Sequence, residues 1–256
     1  MAVALPPLPD GTTHHDHAEA VPVSDLKEKL VTANHILANE GIIQGFGHVS
    51  VREPDSDEML ISRRRSPKYV EENDIVRVGL DGTVLDDRDV DLYGETVLHR
   101  AIFRARDDVN AVVHHHAPAV MPFTIVDTEI KPAFHMAALF ADGVPEFSDY
   151  DTHFGRLVAT EGEAERMAEN LGTHRAQLLE GHGANVVGKS LEEVIFSTVF
   201  FVMNAQYQYH AMQLGEPRYY DGPQDALSSI VDDVLLAPLS QERMWEYLKR
   251  SVPDDW

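Results

Sequence analysis

The amino-acid sequence predicts one layered α/β domain, a central, mostly antiparallel β-sheet flanked by helices. Three observations predict it. Short segments alternate apolar and polar residues across tight polar turns, as strands with hairpin connections do. Longer stretches between and after them repeat apolar residues at helical spacing. The chain has 256 residues and no cysteine, so a single core that stands without disulfides is the simplest organisation.

The elements follow in order. Residues 1–22 hold four prolines and the cluster His14, His15, Asp16, His17, and read as a flexible N-terminal tail with no leader pattern. The main domain is expected over 23–216, with a C-terminal extension over 217–256 packing on it or on a neighbouring subunit. Ser24 is placed to cap a helix carrying Leu26, Leu30, Ala33 and Leu37, and Gly41 to end it. After the turn Gly45-Phe46-Gly47, the segments His48 to Arg52 and Met59 to Ser62 form a hairpin. Ile75 to Val78 and Thr83 to Leu85 form another across Asp81-Gly82. Glu95 to Arg106 is helical, and Val109 to His115 a buried strand. A helix near Glu161 to Leu171 precedes two short strands, Gln177 to Leu179 and Val186-Val187, on either side of Gly181-His182-Gly183. Ser190 to Glu193 is a capping box opening a long helix to about Leu214, and Gln241 to Arg250 forms a last helix.

Composition narrows the function. With 43 acidic against 21 basic residues the formal charge is −22, which disfavours nucleic acid, whose phosphates require clustered Lys and Arg. The run Arg63-Arg64-Arg65 is too short to reverse this. No apolar run spans a bilayer, and a cytoplasmic setting without disulfides is expected. Only six basic residues are lysine, an acidic balance that suits a salt-rich cytoplasm.

Any metal must be held by His, Asp or Glu. His114 and His116 lie two apart at the end of an apolar strand, so alternation points both rings to one face and His115 away. The bland alternative is a polar strand end in a chain with 14 histidines. His182, between two glycines, is either a turn residue or a ring free to enter a cleft. Glu95 at a helix start is either a dipole-stabilising charge or a proton carrier. Their combination favours chemistry: three neutral imidazoles make an open metal site and a carboxylate beside them moves protons.

Three separated motifs, Tyr93-Gly94-Glu95-Thr96-Val97-Leu98-His99, Asp108 through His116, and Leu178-Leu179-Glu180-Gly181-His182-Gly183, resemble the class II aldolase/adducin family over about Leu26 to Leu214. The resemblance implies a sheet flanked by helices, usually assembled as a homotetramer with sites at subunit interfaces. It implies one divalent metal ion per subunit on His114, His116 and His182, Zn2+ or Mn2+ first and Fe2+, Co2+ or Mg2+ as alternatives, with Glu95 as the acid/base.

Departures from the family pattern refine this. Sugar-phosphate members typically carry a Gly-Asn-Ser-type segment where this chain has Gly47-His48-Val49-Ser50, a Ser-Gly loop where it has Ser62-Arg63-Arg64-Arg65-Ser66, and serines where it has Tyr93-Gly94. An imidazole, a phenol and guanidinium groups suit a planar carboxylate substrate. His48, Ser62, Arg63, Tyr93 and His135 are therefore the candidate substrate-binding residues, His135 with Phe134 lining an aromatic pocket unless the two serve packing. The resemblance points to the branch that decarboxylates hydroxylated aromatic or pyridine dicarboxylates; for Glu95 to deliver a proton near neutral pH, burial has to raise its pKa. The alternatives are an aldolase or epimerase for a small hydroxy-aldehyde or sugar phosphate, and a non-catalytic module like the adducin head.

Overall fold

A computed structural model describes residues 22–151 and 155–256; the expected tail and its histidine cluster, apart from Pro22, lie outside the described residues. Within them a seven-stranded sheet runs in the order β3-β2-β1-β4-β7-β6-β5. The strands are β1 (His48–Arg52), β2 (Glu58–Ser62), β3 (Ile75–Gly79), β4 (Ala111–His115), β5 (Glu146–Phe147), β6 (Ala176–Leu179) and β7 (Gly183–Gly188). All pairings are antiparallel except β5 with β6, so the sheet is mostly antiparallel as expected.

Strand alternation sorts the side chains into two layers. Val49, Val51, Ala111, Val113, Ala184 and Val186 face α1 (Val23–Asn39) and α4 (Leu191–Leu214) in one buried cluster. Met59, Ile61, Val76, Val112 and Val187 face α2 (Thr96–Ala105) and α3 (Glu161–Leu171) in a second. Fully burying one such aliphatic side chain is worth about 1.5–3 kcal/mol, so a frame shift in any central strand is strongly disfavoured. That fixed register places the site.

The C-terminal segment adds α5 (Gln224–Ile230), one π-helical turn and α6 (Pro238–Ser251). Leu227, Val231, Leu235 and Leu248 join the α1/α4 cluster. No helix among the described residues is long and apolar enough to cross a membrane.

Three local expectations are corrected. Ser24 does not cap α1; the helix starts two residues earlier, at Val23 behind Pro22, and the Ser24 hydroxyl meets its neighbour Asp25 instead. Thr83 to Leu85 forms no strand, only one bridge from Val84 to Val78, because Leu85 is exposed and has no face to bury. At α4, Ser190 accepts from the Glu193 amide at 3.1 Å, but the Glu193 carboxylate turns to Arg175 at 2.5 Å, so half of the capping box forms. Gly41, at φ +68°, does end α1.

Candidate active site

The site lies on the α2/α3 face of the sheet. Pairing registers His48 of β1 with His114 of β4, His114 with Asn185 of β7, and Asn185 with Gln177 of β6, so four polar residues form one row across four strands. β4 ends at His115, and His116 follows on the same side as His114. The His115 ring lies against Phe201 of α4 on the opposite face, 6.2 Å between centroids. His182 comes from the β6–β7 turn, where Gly183 is obligatory: a Cβ there would stand 2.4 Å from the His115 carbonyl oxygen and 2.8 Å from the His116 ring. Glu95 arrives from above, at the N-cap of α2.

One ligating atom each from Glu95, His114, His116 and His182 lies within 4.8 Å of the others. His114 Nε2 is 3.0 Å from His116 Nε2, Glu95 Oε1 is 3.3 Å from His182 Nε2, and Glu95 Oε2 is 3.7 Å from His114 Nε2. The His114 tautomer is fixed from behind. Its Nδ1–H donates to Asn185 Oδ1 at 2.9 Å, and the Asn185 amide is held by Gln177 Oε1 and Met167 Sδ, so Nε2 presents a lone pair to the cluster. The His116 ring bonds the Phe46 backbone. Burial, with the neighbouring imidazoles, holds His114 well below the usual histidine range and lowers His116, so both rings are neutral near pH 7. Glu95 Oε1 is buried without a hydrogen-bond partner. Lone pairs of neutral imidazoles and an unsatisfied carboxylate oxygen around one point are a donor set for a divalent cation, and the four residues can hold one.

The expectation that burial raises Glu95 is corrected. Burial pushes its carboxyl up, but His48, His182 and His116 together outweigh it and hold the group below its ordinary value.

The candidate substrate residues divide. His48 is 98% buried, with Nε2 3.7 Å from Glu95 Oε2 and its ring stacked on His114. The Tyr93 ring tilts over His48, 4.6 Å between centroids. Its hydroxyl meets Ser62 Oγ at 2.8 Å and donates to the Arg65 carbonyl at 2.6 Å, so both hydroxyls are engaged in holding the arginine loop beside the site. Arg63 Nε donates to Asp74 Oδ1 at 2.6 Å, and Arg65 meets the same buried carboxylate. His135 is exposed on a short 3-10 turn, with its ring against Phe134 at 5.9 Å between centroids.

Sequence reasoning missed four residues here. Asn185 and Asp74 act by holding others. His99 was visible within a quoted motif, four residues after Glu95 and so on the same helix face, and it bonds His48 Nδ1 at 2.6 Å. Tyr150 carries a buried hydroxyl with no hydrogen-bond partner, and Glu95 is among the charges that act on it. Its signal is register: parallel pairing sets Phe147 beside Leu179, so Tyr150 and His182 each lie three residues beyond.

Comparison with known proteins agrees with this architecture. The family described as Class II Aldolase and Adducin N-terminal domain matches residues 28–209. A decarboxylase of Talaromyces stipitatus, tropJ, is 26% identical over 91% of this chain and 96% of its own length. A 3,4-dihydroxyphthalate decarboxylase of Arthrobacter keyseri is 30% identical over 68% of this chain and 73% of its own. An L-fuculose 1-phosphate aldolase structure from Glaciozyma antarctica superposes with a TM-score of 0.74 at 21% identity, covering 95% of this chain and 93% of that one, which shows a shared fold.

Proposed function

The chain belongs to the class II aldolase and adducin N-terminal domain family and is a carbon–carbon lyase, and from that premise we propose that it is a metal-dependent, non-oxidative decarboxylase of a hydroxylated aromatic or pyridine dicarboxylate, of the dihydroxyphthalate kind. One observation carries this reading: Glu95 and the imidazoles of His114, His116 and His182 meet within 4.8 Å, with His48 set beside them where sugar-phosphate members typically carry an amide. Decarboxylases among the similar proteins support it.

His114, His116 and His182 hold the ion, Zn2+ or Mn2+ before Fe2+, Co2+ or Mg2+. When bound, a divalent ion supplies Lewis acidity that draws off negative charge developing on the substrate. The protein's own groups do the rest. His48, with the N–H groups of Arg63 not directed at Asp74, orients the spectator carboxylate, and the Tyr93 ring covers one face of His48. Glu95 is the proton carrier. As the carbon–carbon bond breaks, its electron pair stays on the ring carbon, CO2 departs, and that carbon takes a proton from the Glu95 carboxyl, which water restores. The same reading carries a homotetramer working in the cytoplasm, supported by the family resemblance and a chain without cysteine.

The experiment is a substrate panel on metal-loaded protein. CO2 release from 3,4-dihydroxyphthalate or a hydroxypyridine dicarboxylate is expected; aldehyde release from a sugar-phosphate aldol donor, with no CO2 from any carboxylate, overturns the reading in favour of an aldolase. Glu95→Gln is expected to fold and keep its metal while losing roughly 10²- to 10⁴-fold in turnover, the usual range for a proton carrier. Full activity in that variant removes Glu95 from the chemistry.

A further inference from the structure

Behind His48 lies a buried hydrogen-bonded chain that the proposed chemistry does not use. Ser50 and His48 sit two apart on β1 and face the same way, toward α2. His99 on α2 stands between them: its Nδ1 is 2.7 Å from Ser50 Oγ and its Nε2 is 2.6 Å from His48 Nδ1. All three side chains are buried, Ser50 and His99 completely. The far nitrogen of His48, Nε2, points at Glu95 Oε2, 3.7 Å away.

Such a chain has two polarities. In one, every proton points toward Glu95: Ser50 O–H donates to His99 Nδ1, His99 Nε2–H donates to His48 Nδ1, and His48 carries its proton on Nε2. In the other the order reverses, and His48 Nε2 presents a lone pair to the Glu95 carboxylate. Two features choose between them. Among the described residues the Ser50 hydroxyl bonds only His99, so in the reversed order its proton has no acceptor in a fully buried place. A lone pair set against a carboxylate oxygen is repulsive as well. Burial and the neighbouring His48 also hold His99 well below the usual histidine range, which keeps its ring neutral, with one donor and one acceptor nitrogen.

We propose that Ser50 and His99 are positioning residues that fix His48 as an Nε2–H donor aimed at Glu95 and at the carboxylate bound beside it. This deepens the decarboxylase reading and rests on it for the substrate, but the tautomer itself does not depend on turnover. Ser50 sets the polarity, His99 transmits it, and His48 alone touches the reacting groups. An ordinary buried polar contact also resists substitution but leaves the His48 tautomer indifferent to the hydroxyl of Ser50.

The test is nitrogen-15 spectroscopy of the histidines in the zinc-loaded full chain. The expected wild-type result is His48 protonated on Nε2 and bare on Nδ1. Ser50→Ala shifts it toward a mixture of tautomers, and Ser50→Thr, which keeps a hydroxyl, restores it. His48 protonated on Nδ1 in the wild type, or an unchanged spectrum in Ser50→Ala, overturns the proposal. A second arm uses turnover of 3,4-dihydroxyphthalate. Ser50→Ala is expected to lower kcat roughly 3- to 10-fold with metal content unchanged, the scale of one lost hydrogen-bond bias, and to add nothing in a His48→Asn background. Additive losses overturn the positioning role. Absence of any CO2 release overturns the substrate class while the spectrum still decides the tautomer.

Discussion

His114 shows how a single side chain acquires a role from what stands behind it. Its ring can bind a cation only through Nε2, and that requires the proton to stay on Nδ1, where Asn185 Oδ1 accepts it at 2.9 Å. Asn185 is itself fully buried and braced by Gln177 and Met167, so it cannot turn its amide the other way without losing both partners. Asn185→Leu is therefore expected to fold but to bind Zn2+ about 10- to 100-fold more weakly, measured by competition against a chelator. Undiminished affinity removes Asn185 as the orienting group. Residues of this kind explain what the sequence does and does not disclose. The meeting of His114, His116, His182 and Glu95 was legible because three distinctive motifs carry them. Asn185, Ser50 and Asp74 are common residue types, and they acquire meaning only once strand register and loop closure set them beside a histidine or an arginine.

At the scale of elements, α2 combines two tasks that conflict. Glu95 occupies its N-cap, yet no side-chain oxygen caps the helix, because the carboxylate is turned into the imidazole cluster. α2 is secured elsewhere, by its packing on α3 and by Arg100 and Arg104 binding Glu161. Glu95→Ser removes a carboxylate that the imidazoles hold below its ordinary value, and a carboxylate so held contributes stability at neutral pH. In metal-free protein at pH 7 it is expected to cost about 1 kcal/mol, a fall of roughly 2–4 °C in Tm for a chain of this size, while turnover is lost. A higher Tm contradicts the idea that the imidazoles stabilise the Glu95 carboxylate. The same scale marks the limit of sequence reasoning. Helices and strands with their own periodicity, such as α4 and β4, could be read directly. β5 could not, because its two residues become a strand only by docking beside β6, and Thr83 to Leu85 had turn chemistry but no apolar face to keep it paired.

For the whole molecule, acid is the informative stress. Burial, with some help from His116, lowers His115 to about 3, and burial with neighbouring imidazoles lowers His99 and His114 well below the usual range. In the unfolded chain these rings titrate near 6.5, so between that value and about 3 the unfolded state binds protons that the native state refuses. Stability therefore rises with pH through this window: the contribution is complete above about 6.5 and is lost as pH falls toward 3. At about 1.4 kcal/mol per unit, His115 alone carries on the order of 5 kcal/mol. The formal charge of −22 complicates the reading, since protonating surface carboxylates in the same range relieves self-repulsion and works in the opposite direction. High salt separates the two effects, because it screens the exposed charges and leaves buried rings almost untouched. In 1 M NaCl the metal-free protein is expected to lose stability steadily from pH 6.5 to 4 in urea unfolding, and His115→Leu, which leaves the cluster on the other face intact, is expected to flatten that slope. An equally steep slope in His115→Leu assigns the acid sensitivity to other groups.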